Sequence, residues 1–369
     1  MAVSTAIASP SDSNLLRYKF TSPYKYSKLD QTNQHIRLLR VRPAADAPSF
    51  RQLGQKWDLP NCNMEIFKLD QAPPYIALSY VWGDKSSGTA GILLDGQKFE
   101  ITTSLYIFLD LFRSDTFSQE VAYIWIDQIC IDQSDLDERS YAVRFMSSVY
   151  SNAEYVVVWL GDDEETEKAA KAFYFTRLWI IQELLLARTV IINCRETWGL
   201  HLSSVQFHVQ KYQDKIYSRI RNPSLFLLWD SVYNREGRHL AQCLQRYCQN
   251  DCQDPRDKVY ALLGLVKAEE QVPIDYSKSV SEVYIDTLQI LARRWWLQTP
   301  TDFDNIGRPA FIGVAVSLAK EMFTYASLPG LWALLRPVRS LPGFKWYIKV
   351  FQHLSEHEQR DARKSLKQS

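Results

Sequence analysis

The sequence predicts an α/β protein: a parallel sheet flanked by helices, followed by a mainly helical C-terminal region. Three observations carry this. Four near-continuous apolar runs, YIALSYVW from residue 75, AYIWIDQI from 122, YVVVWLG from 155 and TVIINC from 189, lack polar/apolar alternation, as strands covered on both faces do. Helix signals lie between them, and strands alternating with helices build parallel sheets. Beyond about residue 200 the strand runs stop and helical spacing takes over.

Taken in order, residues 1–23 are rich in Ser, Ala and Pro and read as disordered. From Tyr24 to Leu69 the apolar pieces HIRLLRV and MEIFKL alternate with proline-bearing spacers and predict two edge strands or extended segments. In GILLDGQKFEI, residues 91–101, Asp95-Gly96 between apolar arms predicts a small hairpin after the first strand. Ser134 followed by Asp137 reads as a helix entry, after which Val143, Met146, Val149 and Tyr150 share one face. Residues 167–187 predict a second helical region; from Trp179 onward only Gln182 and Glu183 interrupt its apolar surface, so it is expected to be buried. Further helical patterns cover Val205–Ile220, Leu225–Cys248, Lys258–Lys267 and Val280–Trp296, broken by Asp254-Pro255 and Val272-Pro273. Residues 300–369 read as an irregular tail with a basic end.

Composition narrows the function classes. With 43 basic and 42 acidic side chains the net charge is +1, so no global field draws the chain to nucleic acid or to an anionic membrane. The six cysteines are sparse and irregularly spaced, which predicts reduced thiols and a cytoplasmic setting rather than a disulfide scaffold. The N-terminus lacks the basic start of a secretory signal. AFIGVAVSLA, residues 310–319, is shorter than the roughly 20 residues a bilayer requires, so no membrane span is expected.

In open α/β sheets, ligands bind beyond the carboxyl ends of the strands. Trp82, Gly83 and Asp84 leave the first run there, and Asp127, Gln128, Cys130 and Asp132 leave the second. Capping of the following loop is the competing role for Asp127 and Asp132. Trp82, Trp125 and Trp179 suit either core filling or base stacking. Cys130, with no histidine near it in sequence, reads as a small buried apolar residue. Glu183 is the sharpest candidate: it lies four residues after Trp179, on the same helical face, among Ile180, Leu184 and Ala187. Such a glutamate either pairs structurally, with Arg177 or Arg144 the candidates, or carries a perturbed pKa suited to catalysis. Both readings stay open.

Metal patterns are weak. His239, Cys243, Cys248 and Cys252 have zinc-type ligands at a spacing no common site uses, and the H-x-x-E-H of His353–His357 lies in a charged tail. No bound metal or cofactor is expected. The G-x-S-x-G, G-x-x-x-x-G-K-[ST] and G-x-G-x-x-G motifs are absent, which removes serine hydrolases, P-loop nucleotidases and Rossmann dehydrogenases.

Read together, ALSYVWGD (77–84), WIDQICIDQ with Glu138-Arg139, the Met146 and Tyr150 pair, VVVWLGDD and RLWIIQELLLA resemble the heterokaryon incompatibility (HET) domain of filamentous fungi. DPRDKVYALLGL (254–265) and IDYSKSVSEVY (274–284) look like the helical region that often follows, so the resemblance spans roughly residues 24–290. It implies a 24–70 extension, a HET domain over 71–200, a helical region over 201–299, and a role in non-self recognition and programmed cell death. A more distant similarity, carried by the order of the strand runs and by Trp179-x-x-x-Glu183-Leu184, is to Toll/interleukin-1 receptor (TIR) domains. It implies a TIR-like sheet, Glu183 as the catalytic residue of NAD cleavage, and substrate contacts from Ser79, Trp82, Gly83, Asp84, Asp127, Asp132, Arg177 and Trp179, with NAD as substrate. The alternative is a non-enzymatic, self-associating signalling module of the same fold. Expected partners are further copies of the chain or other incompatibility proteins. Two departures from the family pattern stand out: Asp132 replaces the usual asparagine, and only 13 residues separate Asp163 from Arg177.

Overall fold

The four apolar runs form strands that run parallel to one another. The computed structural model describes residues 24–43, 50–52, 55–57, 59–82, 88–114, 121–161, 174–194, 197–201, 238–298 and 308–323. The expectations for residues 1–23, Val205–Ile220 and the His353–His357 motif lie outside these residues. The chain divides into two units: residues 1–138, 149–174 and 187–208, and residues 139–148, 175–186 and 209–369.

The strands are β1 (His35–Val41), β2 (Phe50–Gln52), β3 (Gln55–Trp57), β4 (Asn61–Lys68), β5 (Tyr75–Tyr80), β6 (Thr89–Leu94), β7 (Gln97–Thr102), β8 (Tyr123–Trp125), β9 (Tyr155–Trp159), β10 (Val190–Cys194) and β11 (Thr197–His201). Apart from the β2-β3 ribbon they make one nine-stranded sheet, ordered β11-β10-β9-β5-β8-β1-β4-β6-β7. Its centre, β10-β9-β5-β8, is parallel throughout. The chain leaves β5 toward β8 and leaves β9 toward β10, so the order reverses between β5 and β9, as in doubly wound sheets.

The full sheet is mixed, and this corrects the reading of the N-terminal segment. β1 is an interior strand, antiparallel to β8 on one side and to β4 on the other. Leu38 and Leu39 are fully buried, so the flanking prolines end these strands without exposing them. The hairpin forms as expected: Asp95 and Gly96 have φ of 49° and 75°, the left-handed pair a two-residue type I′ turn demands. Asp95 is also tied to the Met64 amide at 3.0 Å. Strand β11, a short antiparallel partner of β10, had no signal in the sequence strong enough to predict it.

In this first unit the helices are α1 (Thr103–Ser114), α2 (Asp127–Cys130) and the ends of α3 (Leu136–Asn152). Register places Trp159 and Tyr80 on one sheet face and Ala77, Trp125 and Val156 on the other. Phe108 of α1 packs on Trp159, and Tyr150 of α3 packs on Trp125, so the two helices cover opposite faces. The entry to α3 is corrected by one residue. Asp135 is the N-cap, accepting from the amides of Asp137 (2.9 Å) and Glu138 (3.1 Å), while the Ser134 hydroxyl turns back to Asp132.

The second unit contains α4 (Ile180–Leu185), α5 (Leu240–Tyr247), α6 (Asp257–Tyr260), α7 (Val280–Gln298) and α8 (Arg308–Met322). Among the described residues of the expected helical stretch 167–187 the helix is α4, and residues 180–184 are buried as predicted. Helix α8 overturns the irregular reading of residues 308–322: Val314, Ala315, Leu318, Ala319 and Met322 are buried there, and the Tyr284 hydroxyl donates to the Ala315 carbonyl at 2.9 Å. The short apolar run is part of this packed helix. Among the described residues no helix is long and apolar enough to cross a membrane.

Candidate functional site

The predicted site residues fall into two constellations, one in each unit. In the first, the carboxyl ends of β5 and β8 bring Trp82 and Asp127 together. The indole Nε1–H of Trp82 lies 3.0 Å from both Asp127 carboxylate oxygens. Asp127 also accepts from the Gln128 amide at 2.7 Å, and its carbonyl accepts from Gln133 at 2.9 Å. Tyr80 donates to Gln128 Oε1 at 2.7 Å. Asp127 thus organises the rim, with the Trp82 indole locked edge-on to its carboxylate.

Asp132 serves the loop itself. Its Oδ1 accepts from the Ser134 amide at 3.0 Å and hydroxyl at 2.6 Å, a turn that asparagine makes equally well. The Asp132 amide donates to Glu138 at 2.7 Å. Ser79 points to the opposite face from Tyr80 and shares a 2.6 Å hydrogen bond with Tyr174, both deeply buried. Cys130 is buried as expected, and burial pushes its thiol up to about 12, which removes it as a nucleophile. Gly83 and Asp84 lie outside the described residues.

The second constellation surrounds the W-x-x-x-E turn. The backbones of Arg177 and Asp251 pair in a short parallel β-bridge, in which the Leu178 amide donates to the Asp251 carbonyl at 2.8 Å and the Asp251 amide to the Thr176 carbonyl at 2.6 Å. Trp179 donates its indole N–H to Asp257 at 3.1 Å, and Tyr276 donates its hydroxyl to the other Asp257 oxygen at 2.5 Å. Gln182 donates to the Ala261 carbonyl at 2.6 Å. Glu183, 2 % exposed, is the next residue on the buried side of α4. Arg144, weighed as a partner for it, donates instead to the Ile274 carbonyl at 3.1 Å.

The sequence reading did not single out Asp257, Arg256 or Tyr276. They belong to DPRDKVYALLGL and IDYSKSVSEVY, which resemblance marked only as part of a helical region. In the structure Arg256 grips Asp254 and donates to the Lys278 carbonyl at 2.9 Å. Arg139 and Arg256 both lie over the Tyr276 ring, at 4.8 and 5.1 Å.

Burial raises the Asp257 carboxyl to about 6, against the lowering effect of its bonds to Tyr276 and Trp179. The folded state therefore holds this proton more tightly than the unfolded chain. Its contribution to stability is complete below the ordinary aspartate pKa and is lost as pH rises through about 6. Chemical denaturation from pH 4 to 7 is expected to show this decline, and Asp257→Asn is expected to flatten it. An unchanged slope in the variant would reject the assignment.

The zinc-type pattern is used otherwise. His239 Nδ1 meets Glu270 at 2.7 Å, Glu270 caps α5 through the Leu240 amide at 2.8 Å, and Cys252 donates to the Asp254 carbonyl. Among the described residues no group of three or more His, Cys, Asp or Glu side chains is gathered as a metal site.

Comparison with known proteins bears on the first constellation directly. Residues 75–173, from the start of β5 past the end of β9, match the family model described as Heterokaryon incompatibility protein (HET). This segment is a HET domain. A stretch of 147 residues, 37% of the chain, is 37% identical to "Heterokaryon incompatibility protein 6, OR allele" of Neurospora crassa and covers 20% of that protein. A stretch of 136 residues, 34% of the chain, is 28% identical to "Vegetative incompatibility protein HET-E-1" of Podospora anserina and covers 10% of it. The chain thus matches only a minor part of these relatives. No solved structure matches it significantly. The matched HET segment contains Trp82 and Asp127 and ends before Arg177, Trp179 and Glu183.

Proposed function

We propose that this HET-domain chain acts in heterokaryon incompatibility, promoting cell death on contact between unlike individuals, and that it does so by cleaving NAD with Glu183. One observation carries the chemistry. Glu183 is a buried carboxylate one turn beyond Trp179, on a short helix whose leading indole is anchored to Asp257. Breaking the bond between the nicotinamide nitrogen and ribose C1′ sends the electron pair out with nicotinamide and leaves positive charge on the ribose. An ionised carboxylate stabilises that charge without a metal. Water then adds at C1′ and gives up a proton, yielding ADP-ribose. The ring face of Trp179 is suited to base stacking. The proposed setting is the cytoplasm, with further copies of the chain or other incompatibility proteins as partners.

The test measures nicotinamide release from NAD by purified protein, free and fused to an oligomerising tag, for wild type and Glu183→Ala. Release by the wild type and a loss on the order of a hundredfold or more in the variant is the expected result. Release that survives Glu183→Ala in a folded protein rejects the catalytic role.

The depth of Glu183 favours a second reading, a non-enzymatic module in which this carboxylate is structural and signalling proceeds by self-association. Cell killing that persists in Glu183→Ala, together with concentration-dependent self-association in sedimentation, would decide for it.

A further inference from the structure

The W-x-x-x-E turn is held from one direction by a single stretch of chain. Residues 251–261 receive the Leu178 amide at the Asp251 carbonyl, the Trp179 indole at the Asp257 carboxylate and the Gln182 side chain at the Ala261 carbonyl, at 2.8, 3.1 and 2.6 Å. Of these grips only the one at Asp257 joins two side chains, and only it involves a group that changes charge. Trp179 in turn orients the first turn of α4. Its carbonyl accepts the amides of Gln182 at 3.1 Å and Glu183 at 3.4 Å, so rotation at Trp179 is transmitted to the Glu183 backbone.

We propose that Asp257 is the positioning residue of the Glu183 helix: its carboxylate receives the Trp179 indole and the Tyr276 hydroxyl at once and so holds this turn in one orientation. The proposal rests on the reading of Glu183 as the catalytic carboxylate. Ionised, Asp257 accepts two charge-assisted hydrogen bonds, one on each oxygen; protonated, it binds both donors less firmly. Orientation of the turn is therefore linked to the proton on Asp257. The groups bearing on that proton are Tyr276 from the segment before α7, Asp254 beside it in sequence, Trp179 at the entry to α4, and Arg139 from α3. Burial of the carboxyl places the transition at about 6.

The test has two arms. In the first, ¹⁵N resonances of the Trp179 indole, assigned with Trp179→Phe, and of the Glu183 amide are followed from pH 4.5 to 7.5. Both are expected to titrate together with a midpoint of about 6, and both to lie flat in Asp257→Asn. Tyr276→Phe removes a donor that favours the carboxylate, and is expected to move the midpoint upward. A Glu183 amide that does not follow the indole, or a midpoint unmoved by Tyr276→Phe, overturns the proposal. In the second arm, Asp257→Asn is expected to lower kcat for NAD cleavage about tenfold to a hundredfold at unchanged KM, the signature of a misplaced catalytic group. An unchanged kcat overturns the proposal. Absence of NAD cleavage in the wild type overturns the catalytic reading of Glu183 alone, and the resonances then decide whether Asp257 positions the turn.

Discussion

Replacing Glu138 with alanine is expected to destabilise the first unit by about 3–5 kcal/mol, the loss seen when one partner of a buried ion pair is removed. Glu138 opens α3 and receives Arg37 of β1 through both carboxylate oxygens, the longer contact being 3.0 Å. Both side chains are almost completely buried. Arg37 also donates to the carbonyls of Cys130, at 3.1 Å, and Ser27, and lies over the Tyr26 ring. The same glutamate accepts the Asp132 amide, so its removal strands a buried guanidinium and a loop donor together. Urea denaturation measures the effect. Glu138→Gln keeps an acceptor and is expected to lose less, and the apolar pair Arg37→Met with Glu138→Leu is expected to lose less than Glu138→Ala alone. A loss below about 1 kcal/mol for Glu138→Ala, the size typical of exposed pairs, would show that the pair is solvated in solution.

Gly264→Ala is expected to have the next largest effect, in the second unit. A Cβ at this position would stand 2.3 Å from Gln182 Oε1 and 2.6 Å from Ser147 Cβ, distances at which something must move. Gln182 cannot swing aside freely, because its amide nitrogen is committed to the Ala261 carbonyl and it is almost fully buried. Overpacking of this kind costs about 1–3 kcal/mol or more. The strain falls on the residue beside Glu183, so the proposed NAD cleavage is expected to fall alongside the thermal midpoint. Combining Gly264→Ala with Gln182→Ala is expected to cost less than the sum of the two, since the second change removes the nearer of the two clashing atoms. Full additivity would place the strain elsewhere.

Much of this architecture was legible in the sequence for reasons of local chemistry. Uninterrupted apolar runs predict strands covered on both faces, and β5, β8, β9 and β10 are such strands. Asp95-Gly96 predicts its own turn because few other pairs adopt two left-handed conformations in succession. Trp82 and Asp127 were legible as a rim pair because both follow strands whose ends converge. The interior place of β1 was less legible, since a strand's neighbours are chosen by pairing with segments far away in sequence; β1 meets β8 more than 80 residues on. Residues 308–322 read as irregular because their small and apolar side chains have no strong helical period, yet packing against α7 makes them a helix.

The sequence by itself determined the likeness of residues 75–173 to HET domains, the strand runs and the two residues, Trp179 and Glu183, on which the proposed chemistry turns, because these depend on residue type and short spacing. Only the tertiary structure decided what holds them. Asp257, Tyr276 and Gly264 lie between 78 and 97 residues beyond Trp179, and nothing in their own neighbourhood marks them. Their roles come from tertiary packing: the buried Asp257 carboxylate must find its donors in Trp179 and Tyr276, and Gly264 is needed because Gln182 and Ser147 leave no room for a side chain.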